Sequence, residues 1–189
     1  SFFVNFDQEL WNTYNSLLIY SGLEQEKFDE PGHINYLFFA GYLKLVNFFQ
    51  IVEVPTITSI NKSKNFSDIL QTLVYHSRLF GFIINLILTC LIIKIFTKFE
   101  TKNLILVTIF LITSNGFLTH VSQYRVEPMT LLLCLVSIYI LIDLIQNKKK
   151  IFFKLFFFNL FIILSIINKV QIIFYIPFFL LILLNFQKF

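Results

Sequence analysis

Long apolar runs follow one another from about residue 72 to the last residue of the chain. They cover roughly residues 74–95, 104–119, 129–145, 151–168 and 170–186. Each run approaches the ~17–25 residues that a helix needs to cross the hydrocarbon core of a bilayer. Because lipid offers no partner to a backbone amide, such runs are stable as helices that satisfy their own hydrogen bonds. The pattern predicts an all-α, polytopic membrane helix bundle with about five spans.

The composition supports a membrane protein and argues against a nucleic-acid partner. Hydrophobic residues make up 57% of the chain and charged residues 14%, against roughly 45–50% and about 25% in soluble domains. The net charge of +4 comes from lysines that are divided among short connections, so no single basic face is predicted. Cys90 and Cys134 lie in apolar runs without metal-ligand spacing, and we expect both to be buried packing residues.

The lysines also predict which way the spans cross the membrane. They occupy the first connection (Lys94, Lys98, Lys102), the next but one (Lys148, Lys149, Lys150, Lys154) and the chain end (Lys188). These connections alternate onto one side, which the positive-inside rule makes cytoplasmic. Residues 1–73, the 113–128 turn and the turn at Asn168 then face the other side. We expect an integral protein of the bacterial inner membrane with an active site on its extracytoplasmic face.

Residues 1–73 are predicted to form an extracytoplasmic loop with two interfacial helices, and residues 74–189 the transmembrane bundle. The first helix shows apolar residues at helical spacing, from Leu10 to Leu18, and ends at Ser21-Gly22. The second covers residues 34–54, where Lys44 and two further polar residues argue against a span. Residues 55–71 are predicted to be a polar loop. His76 and Arg78 should lie near the start of the first span.

The ends of the chain suggest part of a longer protein. It begins at Ser1 without Met or a basic leader and stops at Phe189, at the end of an apolar run. We therefore expect an earlier span and a later C-terminal part. The sequence contains no phosphate-binding glycine loop, HExxH motif, CxxC pair or nucleophile elbow, which leaves soluble nucleotide chemistry without support.

Four stretches together resemble a known family. They read FDEPGHINYLFFA at 28–40, HSRLFGFIINLILTCLII at 76–93, HVSQYRVEPMTLLLCLVSIYIL at 120–141 and IILSIINKVQIIFYIPFFLLIL at 162–183. In this order, after Asp7, they resemble the membrane glycosyltransferases of the GT-C fold, family 39 type, which include protein O-mannosyltransferases and lipid A aminoarabinose transferases. The resemblance covers nearly the whole chain and depends on the order of elements more than on any one motif.

The resemblance implies a GT-C bundle that moves a sugar from a polyprenyl-phosphate donor to a lipid, glycan or protein acceptor, with inversion at the anomeric carbon. It makes Asp7 the general base and gives Asp29 or Glu30 as a second carboxylate, or as ligands of a divalent cation. It implies substrate-binding roles for His33, Arg78, Arg125, Glu127 and Lys169. Glu127 stands where the family pattern has Asp, and the acid-rich turn leaves open which acid is the base.

Other interpretations of these residues remain. A multi-span transporter or lipid flippase would place ionisable residues at mid-span depth, and a membrane scaffold would scatter its outward charges. Asp7 is also suited to cap a helix, Lys169 to reach the headgroups, and Arg125 to pair with Glu127. The enzyme hypothesis requires these acids and cations to open on one common cavity.

Overall fold

The computed structural model describes residues 6–26, 32–60, 65–97, 123–147 and 149–175. Over these ranges the chain is helical and contains no strand, which confirms the predicted all-α class. The helices are α1 (Phe6–Tyr20), α2 (His33–Phe48), α3 (Ile57–Ile60), α4 (Phe66–Thr97), α5 (Val126–Gln146), α6 (Ile151–Asn168) and a 3-10 helix (Val170–Tyr175).

Among the described residues, three helices are long and apolar enough to cross a membrane. They are Ser67–Thr97, Val126–Gln146 and Ile151–Asn168, and they contain three of the predicted runs. The first has 31 residues, so it is about 46 Å long and exceeds the hydrocarbon core. The predicted run at 104–119 lies outside the described residues. The run at 170–186 begins as a 3-10 helix and otherwise also lies outside them.

Helices α4 and α5 run parallel to each other. The backbone carbonyl of Gln123, just before α5, lies 3.4 Å from the position that a Cβ on Gly81 would take. Further along both helices, the Lys94 Nζ atom lies 5.1 Å from the centre of the Tyr139 ring. The predicted order of spans requires this parallel alignment, because the first and third spans of a serpentine chain cross in the same direction.

Helices α5 and α6 form an antiparallel pair. Lys154 near the start of α6 bonds Asp143 near the end of α5, with 2.7 Å between Nζ and Oδ2. At the other end, the Ser165 hydroxyl donates to the Thr130 carbonyl at 3.3 Å. Only 11% of the 18-residue apolar stretch of α6 is buried inside the protein, against 50% of the corresponding stretch of α5. Most of the apolar surface of α6 is therefore free to contact lipid.

Two glycines set the limits of α1 and α2. Gly22 has a φ of 76°, and the Leu23 amide donates back to the Leu18 carbonyl at 2.9 Å, which closes α1. Gly32 has a φ of 125° just before α2, and a Cβ there would lie 2.7 Å from Val126 Cγ2. Only glycine fits both this backbone angle and this close approach. The predicted end of α1 at Ser21-Gly22 is confirmed.

The structure corrects the prediction of a polar loop at 55–71. This stretch contains α3 and the first turns of α4, because Ile60 is buried and Ile57 and Ile69 pack against the same core. Since α4 begins at Phe66, His76 and Arg78 lie about 15–18 Å along it and not near its start. In the sequence, the isoleucines at 57, 60 and 69 indicate buried helical positions within this otherwise polar stretch.

One cysteine prediction is also wrong. Cys134 is buried on α5, as expected, but Cys90 is exposed on the surface of α4. An apolar run in the sequence indicates a membrane helix, but it does not show whether a given cysteine on that helix points to a neighbouring helix or to the surface.

An aromatic cluster joins α2, α4 and the start of α5. The ring centre of Phe39 lies 4.8 Å from that of Tyr124, 5.3 Å from that of Phe80 and 5.8 Å from that of Tyr42. Phe39 and Tyr124 are fully buried. This cluster fixes α2 against one end of the candidate spans, and Leu17 of α1 belongs to the same core. Helices α1 and α2 are together called the α1–α2 layer below.

Candidate functional site

Polar residues from four helices meet where the α1–α2 layer contacts the spans. This end of the bundle, called the layer end, includes Arg78 of α4, the turn before α5 and the last turn of α6. The opposite end, called the lysine end, carries Lys94, Lys149, Lys150 and Lys154. The described charges are thus divided by position along the spans.

Glu9 and Arg78 form the central ion pair of the layer end. The Arg78 Nε atom donates to Glu9 Oε1 at 3.0 Å, and Nη2 donates to Oε2 at 2.9 Å. The Tyr124 amide also donates to Glu9 Oε1, at 3.2 Å. Glu9 is 3% exposed, so a bidentate cation and a backbone donor compensate for the desolvation of its carboxylate.

Tyr124 lies at the centre of a buried hydrogen-bond network. Its carbonyl accepts from Asn12 Nδ2 at 3.3 Å, and its hydroxyl donates to the Asn35 carbonyl at 3.3 Å. The Tyr36 hydroxyl donates to Asn12 Oδ1 at 3.1 Å, which closes the network between α1 and α2. Complete burial raises the pKa of the Tyr124 phenol above its usual value, because the phenolate would be left without water.

Asn168 connects α6 to two other helices. Its Oδ1 accepts from the Asn35 amide at 3.0 Å, and its Nδ2 donates to Thr130 Oγ1 at 2.7 Å. The residue is completely buried. The first turn of α2 needs an external acceptor for its free amides, and Asn168 supplies one across the boundary between the layer and the spans.

The predicted ion pair between Arg125 and Glu127 is not formed. Glu127 accepts from Lys169 Nζ at 2.8 Å instead. Arg125 donates through Nε and Nη2 to the side-chain Oε1 of Gln123, at 3.1 and 2.9 Å. Arg125 precedes the first turn of α5 in extended conformation. The Arg125 guanidinium is therefore bonded to a neutral amide, whereas the side chains of Arg78 and Lys169 are paired with carboxylates.

The other predicted residues have different outcomes. Asp7 lies in the first turn of α1, two residues before Glu9. Asp29 and Glu30 lie outside the described residues. His33 is the first residue of α2, and its Nδ1 atom lies 2.7 Å from Gln25 Oε1. Of the predicted binding residues, Arg78, Arg125, Glu127 and Lys169 are all found at the layer end.

Glu9 was not among the predicted site residues, although the sequence contained a signal for it. Polar residues recur on α1 at positions 9, 12, 13 and 16, which is one helical face, and all four are buried. The prediction of this helix rests on the apolar spacing from Leu10 to Leu18 alone, and its polar positions carry no prediction. A polar stripe of this length on a short helix indicates partners on another polar surface, which α4 and the Tyr124 turn provide.

Two cavities lined by described residues lie beside the first half of α4. The larger has a volume of about 670 Å³ and is lined by residues 52–55 and by the first half of α4, and the smaller, of about 280 Å³, is apolar and lies between α1, α3 and α4. Neither of these two is lined by Arg78, Arg125, Glu127 or Lys169, so the common cavity expected for them is not one of the two. Among the described residues, no three His, Cys, Asp or Glu side chains are grouped to hold a metal ion.

Comparison of the chain with protein-family models, with curated proteins and with solved structures gives no match. The geometry of the layer end is thus the basis for any assignment of function.

Proposed function

We propose that the protein is an inverting membrane glycosyltransferase that takes a sugar from a polyprenyl-phosphate donor at the layer end. The observation that carries this proposal is the cation Arg125. It lies at the end of a candidate span, half-buried, and its described partner is the neutral side chain of Gln123. A guanidinium that keeps its net charge at the edge of a membrane is suited to bind a lipid-linked phosphate.

Arg78 gives a second group of donors for the same phosphate. Glu9 occupies its Nε and one Nη2 hydrogen and holds the guanidinium plane in place. The side chain stays 47% exposed, so its other N–H groups remain open to a ligand. Because Glu9 neutralises its charge, Arg78 would contribute directed hydrogen bonds more than net charge.

The chemistry follows from these groups. The oxygen of the acceptor hydroxyl, or the nitrogen of an acceptor amine, attacks the anomeric carbon from the side opposite the phosphate. The bond between that carbon and the phosphate oxygen breaks, and polyprenyl phosphate leaves with the electron pair. A carboxylate, proposed to be Asp7 with Asp29 or Glu30 as the second acid, takes the acceptor proton. Arg125 and Arg78 stabilise the charge that develops on the leaving oxygen.

The outer face of α2 supports an interfacial position for the layer. Leu37, Phe38, Leu45, Phe48 and Phe49 are all exposed there. They recur at spacings of seven or eight and of three or four residues, which is one helical face, and Lys44 is exposed on it as well. In our proposal this face rests on the headgroup region beside the spans, with the Lys44 amine reaching the phosphates. By the positive-inside rule, the layer end is extracytoplasmic.

The test is transfer of labelled sugar from polyprenyl-phosphate donors by the full-length protein in liposomes. We expect Asp7→Asn or Glu30→Gln to reduce kcat about 100-fold or more, with little change in KM for the donor. We expect Arg125→Gln to raise KM for the donor about tenfold, the loss of one charged contact. Glu24→Gln, an exposed acid of the same segment, is the matched control. A chelator arm shows whether a divalent cation takes part.

Absence of transfer from every donor tested, with the protein folded and correctly inserted, would contradict the proposal. Sugar transfer that is unaffected by Asp7→Asn, Glu30→Gln and Arg125→Gln would support the proposed reaction but contradict the proposed site residues.

A further inference from the structure

The lysine end carries two cations that no described group neutralises. Lys149 and Lys150 lie in the turn between α5 and α6, and both are exposed. Neither ammonium group forms an ion pair or a hydrogen bond with the part of the chain that the structure describes. These two residues are called the basic turn below.

The other two lysines of this end are occupied within the protein. Lys154 Nζ lies 2.7 Å from Asp143 Oδ2, and Lys94 Nζ lies over the Tyr139 ring, which is a cation–π contact. Asp143 is the one acid of this end among the described residues, and Lys154 already neutralises it. The charge of the basic turn is therefore open to an anion from outside the described chain.

Exposed phenylalanines follow the basic turn directly. Phe152 is 92% exposed, and Phe153 and Phe156 are each 63% exposed. They lie within about 8 Å of the start of α6, and spacings of three and four residues place them on one helical face. This face, called the Phe face below, belongs to the least buried of the three candidate spans. Large exposed apolar patches mark contacts with a membrane or a partner, so we expect lipid against it.

The basic turn and the Phe face together indicate the class of partner. A soluble anion would neutralise the lysines but would leave the three phenyl rings in water. A bilayer covers both, since the phosphates of its lipids lie where the hydrocarbon core ends. Lysines beside a span attract acidic headgroups, by about fivefold in affinity for each residue. The positive-inside rule assigns these lysines a side of the membrane but does not say which lipid they bind.

We propose that the basic turn and the Phe face form a binding site for phospholipids with an anionic headgroup. The lipid phosphate pairs with Lys149 and Lys150, and an acyl chain lies along the Phe face. The site does not depend on the proposed transferase function, since it shares no residue with the layer end.

The test measures lipid selectivity at each end of the full chain in liposomes, with brominated phospholipids that quench a nearby tryptophan. Trp11 is the one tryptophan of the chain and reports on the α1–α2 layer. Trp11→Phe combined with Phe153→Trp gives a reporter for the lysine end. Brominated phosphatidylglycerol is compared at low salt with brominated phosphatidylcholine of the same chains. At the lysine-end reporter we expect phosphatidylglycerol to bind at least about tenfold more tightly.

Paired substitutions of the two lysines test whether their charge is the cause. Lys149→Gln with Lys150→Gln should lower the preference to about twofold or less, because both unpaired charges are lost. Lys149→Arg with Lys150→Arg should keep it, since arginine also pairs with phosphate. Quenching of Trp11 should respond to neither pair. Circular dichroism should show unchanged helicity in both, because the two lysines are exposed.

Equal binding of the two lipids at the lysine-end reporter would overturn the proposal, and so would a preference that survives the glutamine pair. Loss of the preference in the arginine pair would overturn it as well, because it would mean that charge is not the cause. Release of phosphatidylglycerol by glycerol phosphate, at an ionic strength matched with sodium chloride, would also overturn it, since the ligand would then be a soluble phosphate.

Discussion

Glu9 shows how a buried charge on a short helix is tolerated. Its carboxylate receives three hydrogen bonds, two from Arg78 and one from the Tyr124 amide. Arg78 is still about half exposed, so water keeps solvating the cation and the pair is not fully buried. The loss of Glu9 would leave the Tyr124 amide without an acceptor in a buried position, and this is the costly part of the change.

Glu9→Ala is expected to lower the free energy of unfolding by about 2–3 kcal/mol, the range for a hydrogen-bonded charged group. Urea unfolding in detergent micelles, followed by far-UV circular dichroism, measures it. Glu24→Ala removes an exposed acid and should stay within about 0.5 kcal/mol of the parent. Equal values for the two variants would mean that the pair with Arg78 contributes nothing to stability.

Tyr124 predicts how stability depends on pH in the alkaline range. Burial raises the pKa of its phenol above the ordinary value of 10.0. Below pH 10 the phenol is protonated in both folded and unfolded chains, so its contribution is fully present. Above pH 10 the unfolded chain ionises first, and stability falls as pH rises. Tyr124→Phe should therefore flatten the decline in unfolding free energy above pH 10, and an unchanged slope would contradict the assignment.

At the scale of elements, asparagines join helices that apolar packing alone would leave in several registers. Asn168 is the main example, because it bonds α2 and α5 from the last turn of α6. Such buried amides fix position more than they add stability. The two α6 asparagines allow this to be tested within one helix, since Asn159 is exposed and its described hydrogen bond is to the Leu155 carbonyl of its own helix.

Asn168→Ala is expected to destabilise the protein by about 1–3 kcal/mol, because the Asn35 amide and the Thr130 hydroxyl lose partners in a buried place. Hydrogen exchange at the Asn35 amide should become faster, while exchange in the middle of α5 changes little. The same substitution at Asn159 should leave both unaffected. Faster hydrogen exchange throughout α5 and α6 would contradict this, because it would show that Asn168 stabilises the packing of the whole bundle and not the contact with α2 alone.

At the scale of the whole molecule, the described charges lie at two opposite ends of the spans. Glu9, Arg78, Arg125, Glu127 and Lys169 are at the layer end, and Lys94, Lys149, Lys150 and Lys154 are at the other. The parallel pair α4–α5 and the antiparallel pair α5–α6 make this division a consequence of topology. The positive-inside rule predicts that the lysine end is cytoplasmic.

Cysteine labelling tests this orientation. In a variant with Cys90 and Cys134 changed to Ser, Glu24→Cys should react with a membrane-impermeant maleimide added to intact cells. Lys149→Cys should react only after the membrane is opened. Glu24 and Lys149 are both exposed, so access and not burial decides the result. Labelling of Lys149→Cys in intact cells would place the layer end in the cytosol and remove the basis of the proposed transferase.

The sequence by itself determined the helical class, three of the candidate spans, the end of α1 and the grouping of Lys94, Lys149, Lys150 and Lys154 at one end of those helices. These features are local, because run length and glycine position specify them without knowledge of any partner. It did not determine that Glu9 pairs with Arg78, 69 residues away, or that Arg125 bonds Gln123 instead of Glu127. Those depend on which helix faces meet, and apolar spacing on α1 carries no information about the partners of its polar stripe. Only the packed helices decide which distant charge compensates a buried one, since the cost of burying it is set by its neighbours in space.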